Sequence, residues 1–208
     1  MDLLLLAPGD EAGVLASRIR ELLRTTAAPV VVALDGRSGA GKSTLARSVA
    51  RSLEAAVVEG DDFYAGGSAE QWDEMSPAAR ADHCIDWRRQ RPVLDALRSG
   101  QPATWTAYDW DADDGRPAVD PGACAPHRVV ILEGVYSARP ELTDLLHLRV
   151  LLDTPAEIRE ARLLEREGEH RRGDWPARWS SAEEHYFAAR MPPEAFDVVL
   201  GAEGGLGA

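Results

Sequence analysis

The sequence predicts a three-layer α/β fold, with a mostly parallel sheet covered by helices on both faces. Three observations carry that prediction. Short apolar runs stand at 30–34, 128–132, 149–153 and 196–200, and such runs mark strands buried on both faces. Segments of helical apolar spacing separate them, as crossovers between parallel strands require. Proline and glycine punctuate the joints, at Pro29 and at Ser99-Gly100.

Taken in order, Met1 to Leu6 is apolar but short and reads as a surface strand or as packing for the first helix. Val14, Ile19, Leu22 and Leu23 give residues 10–25 a helical stripe, with Asp10 as a candidate cap. Val30 to Leu34 is a buried strand. A glycine-rich turn and a helix from about Lys42 to Leu53 follow. Ala55 to Glu59 is the next strand. Residues 60–84 read as irregular, with a short helix near Pro77. Trp87 to Leu97 reads as a helix, Ala103 to Tyr108 as a strand, and 109–127 as a loop rich in Asp, Pro and Gly. Two strands, at 128–132 and 149–153, precede a helix over 156–167 that Pro155 introduces. A helix over 178–189 and a strand over 196–200 complete the pattern.

The 208 residues suit one domain with a small insertion. No apolar run is long enough to cross a bilayer, and Met1 to Leu6 lacks the positive flank of a signal peptide. A cytoplasmic protein is expected. Cys84 and Cys124 lie far apart without metal-ligand spacing, so they read as buried thiols. The formal net charge of -12 argues against broad nucleic-acid binding. Lys42 is the only lysine in a chain otherwise rich in arginine.

That lysine lies in Gly36-Arg37-Ser38-Gly39-Ala40-Gly41-Lys42-Ser43, which fits G-x-x-x-x-G-K-[ST] between a buried strand and an amphipathic helix. Each residue type has a physical task. Gly36, Gly39 and Gly41 allow backbone N–H groups to approach phosphate oxygens, with Ser38 and Ala40 completing the cradle. The helix N-terminus adds unpaired donors and partial positive charge. Lys42 reaches the β- and γ-phosphates, Ser43 faces Mg²⁺, and Thr44 adds a further hydroxyl. ATP and Mg²⁺ are the expected cofactors.

Beyond this loop the chain resembles the uridine kinase and phosphoribulokinase group of P-loop small-molecule kinases, from about Val30 to Leu200. Gly60-Asp61-Asp62-Phe63-Tyr64 resembles the group's D-x-F-Y segment. Asp86-Trp87 and Tyr108-Asp109-Trp110 resemble acceptor segments, and Glu133-Gly134 resembles its E-G after a buried strand. Arg159, Arg162 and Arg166 fall at the spacing of lid arginines. The resemblance implies a nucleoside-kinase-like fold, an acceptor insertion near 60–127 and a lid near 159–178. It also leaves a homo-oligomer open.

Phosphoryl transfer to a hydroxyl needs a base near the acceptor proton. Asp61, after a strand end, is the candidate. Asp62 is its rival, and a plain turn carboxylate is the structural alternative. Glu133 ends a buried strand and joins Ser43 and Asp61 as a metal-facing oxygen donor. Arg162 and Arg166, with Arg171 and Arg172 further along, offer transition-state charge. A solvated face paired to Glu165, Glu167 and Glu169 is the plainer reading.

The acceptor remains open between two classes. By resemblance Asp86 holds hydroxyls, Tyr108 lines the pocket and Trp110 stacks on a flat base. Uridine kinases carry a histidine shortly after the Tyr-Asp-aromatic triplet, where this chain has Asp111, Asp113 and Asp114. That carboxylate run would suit a cationic amino sugar, or be a solvated loop. Trp175 and Trp179 are further candidates for the pocket wall. A P-loop ATPase switch is the reading from another class. The absence of N-K-x-D excludes a guanine-reading switch.

Overall fold

The computed structural model describes residues 2–6, 10–110, 112, 118–167 and 175–202. In chain order the elements are β1 (Asp2–Leu6), α1 (Glu11–Thr25), β2 (Val30–Asp35), α2 (Lys42–Leu53), β3 (Ala56–Glu59), α3 (Ala69–Glu74), α4 (Pro77–His83) and α5 (Trp87–Arg98). There follow β4 (Ala103–Trp105), β5 (Gly122–Cys124), β6 (Val129–Glu133), β7 (Leu148–Asp153), α6 (Ala156–Glu167), α7 (Trp175–His185) and β8 (Val198–Ala202). Six strands form one parallel sheet in the order β1-β8-β7-β2-β6-β3.

Two interleaved side-chain sets explain the layers. Along β2, Val30, Val32 and Leu34 pack with Leu15, Ile19, Leu45 and Val49 of α1 and α2. Val31 and Ala33 face the opposite way, toward Phe63, Trp72, Leu94 and Tyr186. Successive strand residues point to opposite faces, so a continuously apolar strand must be covered on both. All six residues of β2 are buried.

After β2 the chain crosses to β3 and returns through β6; it then reaches β7 on the other side of β2. The strand order therefore reverses around β2. Ligands of open α/β sheets bind beyond the carboxyl ends of the strands at such a point.

Of the two readings of the N-terminal segment, the surface strand holds: Asp2–Leu6 forms the edge strand β1, paired to β8. Three local differences from the sequence reading have physical reasons. The segment 60–84 holds more order than its polar composition suggests. A 3₁₀ turn spans Gly60–Phe63, Ser68 forms a capping box with Gln71, and Ser76 caps α4. The expected strand over 103–108 stops at Trp105. Its partner β5 hides in the stretch read as loop, because a bare Gly122 is needed there. A Cβ on Gly122 would come within 2.2 Å of the Trp105 ring. The last helix runs on as a π-helical turn over Tyr186–Arg190.

Candidate active site

The phosphate loop spans the end of β2 and the start of α2. Gly36 opens it, and its N–H donates to Asp35 Oδ1 at 2.8 Å. Gly39 has φ of 77°, and a Cβ there would lie 2.6 Å from the Arg159 carbonyl oxygen, so α6 packs directly on a bare backbone. Ala40 is buried; its carbonyl accepts from Thr154 Oγ1 at 3.0 Å and from the Arg162 guanidinium at 2.8 Å. Gly41 caps α2, whose first turn carries Lys42, Ser43 and an exposed Thr44. The Lys42 side chain is mostly buried, and Nζ donates to the Arg37 carbonyl at 3.1 Å. A buried cation thus sits at the helix N-terminus, where the helix dipole already favours an anion.

Carboxylates from two strand ends meet that cation. Glu133 is buried and accepts from the Ser43 hydroxyl. Burial pushes its carboxyl up, the Ser43 bond and Lys42 pull it down, and Asp61 and Glu59 push it up again; the net direction is upward. Asp61 lies beyond β3. The residue is exposed at the surface, yet desolvation of its carboxyl within the site pushes it up. Lys42 and Arg166 oppose that rise, while Glu59 adds to it. Gly60 and Gly134 allow these two strand ends to approach. Gly134 has φ of 145°, and a Cβ on it would lie 3.3 Å from the Gly60 Cα. Asp62 is occupied differently, since it accepts from Trp105 Nε1 at 2.8 Å.

Helix α6 brings in the arginines. Arg159 donates to the Thr154 carbonyl at 3.0 Å and to the Ser38 carbonyl at 3.4 Å. Arg162 donates to Gly39 and Ala40 carbonyls. Arg166 acts electrostatically on Asp61. Arg171 and Arg172 lie outside the described residues.

The wall beside Asp61 is aromatic. Tyr64 stacks on Trp110 at 5.0 Å and 26°, and on Trp179 at 5.5 Å and 24°. Tyr108 meets Tyr64 and Trp110 edge-on, each at 4.8 Å. Trp110 keeps 42% of its surface exposed, and its Nε1 donates to the Asp61 carbonyl at 3.3 Å. Asp86 caps α5, with Oδ1 accepting from the Arg88 N–H at 3.1 Å. The cap engages one of its two carboxylate oxygens. Asp111, Asp113, Asp114 and the Trp175 side chain lie outside the described residues.

The Phosphoribulokinase / Uridine kinase family matches residues 31–192, most of the chain. The chain belongs to that family. It thereby joins the ATP-dependent small-molecule kinases. A uridine kinase of Deinococcus deserti is 31% identical over 149 residues, which cover 69% of this chain and 70% of the relative. One of Halobacterium salinarum is 30% identical over 141 residues, covering 65% of this chain and 61% of the relative. Among solved structures, a candidate fructose transport system kinase of Silicibacter sp. TM1040 superposes with a TM-score of 0.67 at 25% identity, over 92% of this chain and all of that one. A candidate uridine kinase of Bacillus stearothermophilus gives 0.62 at 22%, over 90% of this chain and 99% of that one.

In this kinase, sequence reasoning missed two buried carboxylates behind the phosphate loop. Asp35 ends β2 and is fully buried. Its Oδ1 accepts from the N–H groups of Gly36 and Tyr136, at 2.8 and 3.0 Å. Its Oδ2 accepts from the Ala138 N–H and the Tyr186 hydroxyl, at 2.9 and 2.8 Å. Burial pushes Asp35 up to about 6 against the pull of the Ala138, Tyr186 and Gly36 bonds and of Lys42. A carboxylate ending an otherwise apolar buried strand was the available signal. Glu183 of α7 is also buried, and both its oxygens accept from Ser38. Ser38 is therefore a strut, its N–H and hydroxyl both engaged by protein. The signal for Glu183 was weak: it shares a helix face with Trp179 and Tyr186.

Proposed function

We propose that this kinase moves the γ-phosphate of MgATP to a hydroxyl of a nucleoside of the uridine or cytidine type. The observation that carries this reading is the Trp110 indole, half-open to solvent and tied by its ring N–H to the Asp61 backbone. A flat aromatic face thus stands beside a carboxylate that Lys42 and Arg166 both act on. A nucleobase gains about 1–3 kcal/mol by stacking on such a face. The two uridine kinases similar in sequence support the same acceptor class.

Asp61 takes the acceptor proton in this reading. Its upward-shifted carboxyl is a stronger base than an ordinary aspartate, and Lys42 and Arg166 keep the ionised form accessible. Asp62 is left to the Trp105 bond. Lys42, Arg162 and Arg166 offset charge that develops on the transferring group. Ser43 and Glu133 fit a hard cation, for they offer adjoining oxygens within a cluster of mutually repelling carboxylates. Among the described residues no three-ligand cage exists, which suits Mg²⁺ held by few protein groups and by phosphates. Mg²⁺, when bound, neutralises phosphate charge. Asp61 faces the same space. The amino-sugar alternative rested on the Asp111–Asp114 run, and no described residue adds support to it.

Acceptor-dependent ADP release from MgATP tests this. The panel contains uridine, cytidine, purine nucleosides, simple sugars and amino sugars. Strong stimulation by a pyrimidine nucleoside is expected. Stimulation by an amino sugar alone would overturn the nucleoside reading.

A further inference from the structure

One face of α7 and of the π-helical turn that continues it touches both halves of the site. Trp179 stacks on Tyr64 in the acceptor wall. Four residues on, Glu183 binds Ser38 through the backbone N–H, at 3.2 and 3.3 Å, and through the hydroxyl. Three residues further, the Tyr186 hydroxyl donates to Asp35. This i, i+4, i+7 spacing makes one stripe on a helix. The helix itself is fixed from outside. Arg178 forms a two-pronged pair with Asp73 of α3, at 2.7 and 2.8 Å, and Arg80 of α4 donates to Ser181 at 3.2 Å.

Ser38 is thereby gripped from two helices. Its N–H and hydroxyl go to Glu183, and its carbonyl accepts from Arg159 of α6. Loop conformation decides where the N–H groups after Ser38 point, and small misplacements of phosphate-binding donors cost heavily. A carboxylate is an odd choice for a purely structural strut beside a phosphate site. Burying it is costly unless its hydrogen bonds are complete, and its charge opposes the ligand.

We propose that Glu183 is a positioning residue for the phosphate loop, setting the ATP site through Ser38 from a helix that also walls the acceptor site. The inference rests on the ATP-donor reading but not on the identity of the acceptor. Glu183 does not touch the reacting atoms.

The test measures MgATP binding directly, by calorimetry on the full chain, beside KM for each substrate. Wild-type protein that fails to bind MgATP would sink the donor reading itself. Given wild-type binding, Glu183→Ala should weaken MgATP about tenfold, the scale of a lost charge-assisted hydrogen bond. Acceptor KM should change less than about twofold, because the Trp179 stack is intact. Glu183→Gln keeps an acceptor oxygen for Ser38 and should recover most of the affinity. Ser38→Ala, a milder change, should weaken MgATP in the same direction. The double variant should show less than the summed effect, since both changes remove one contact. A lowered Tm with unchanged MgATP affinity, or additive effects in the double variant, would overturn the proposal.

Discussion

The phosphate loop and the proposed acceptor side of this site are built from different materials. The phosphate side is mostly backbone: loop N–H groups, a helix N-terminus and glycines against which α6 packs. Buried carboxylates hold it from behind. The acceptor side is mostly side chains, from the 3₁₀ turn after β3, the segment after β4 and α7. Backbone cradles tolerate few alternatives, so their sequence is nearly fixed by their task. A wall of rings can be assembled from many sequences and can fit many flat molecules. The donor is therefore written in a short motif, while the acceptor is written in a spatial arrangement.

The largest expected effect falls on the phosphate side. Lys42→Ala should lower the transfer rate by about 10²–10³-fold or more, since the transferring group loses a buried cation. Rapid-quench transfer assays with folded variant would check this. Asp61→Asn stands at the boundary between the halves. It should lower kcat by about 10²–10⁴-fold while leaving MgATP affinity near wild type. Near-normal turnover would remove Asp61 from the role of base and bring Asp62 forward, despite its bond to Trp105. Trp110→Ala should be confined to the acceptor side. Loss of one stacking face should raise acceptor KM by about tenfold, with ATP KM unchanged.

An effect of a different kind concerns stability. Asp35 is raised from its ordinary value to about 6 in the folded protein. Between about pH 4 and 6 the folded state therefore holds this proton while the unfolded state has lost it. Stability from this group is greatest below pH 4 and declines as pH rises through 6, on the order of 3 kcal/mol in full. Carboxyls held low by arginines, such as Asp73, Asp144 and Asp197, work in the opposite sense. The comparison to make is thus between wild type and Asp35→Asn across pH 4 to 7 by chemical denaturation. The wild-type advantage should shrink as pH rises. An advantage independent of pH would contradict the shift.

Much of this architecture was legible in the sequence. The central strands and the extent of α2 follow from apolar runs and the glycine-rich turn, because burial on both faces leaves little freedom at Val30–Leu34. The hairpin of β4 and β5 was not legible, since its pairing depends on Trp105 lying across Gly122. Asp35 and Glu183 escaped for a related reason. Their importance arises from donors more than 100 residues distant, such as Tyr136, Tyr186 and Ser38. Local spacing carries no record of such contacts. Asp86 shows the converse: a residue singled out by a segment also serves as an ordinary helix cap.

The most direct measurement follows the phosphate itself. Wild-type protein would be mixed with Mg²⁺, γ-labelled ATP and uridine in a single turnover, and the labelled products separated. Label appearing in a nucleoside monophosphate, at a rate that collapses in Asp61→Asn, is the predicted result. Label released only as inorganic phosphate, whether or not uridine is present, would contradict the account.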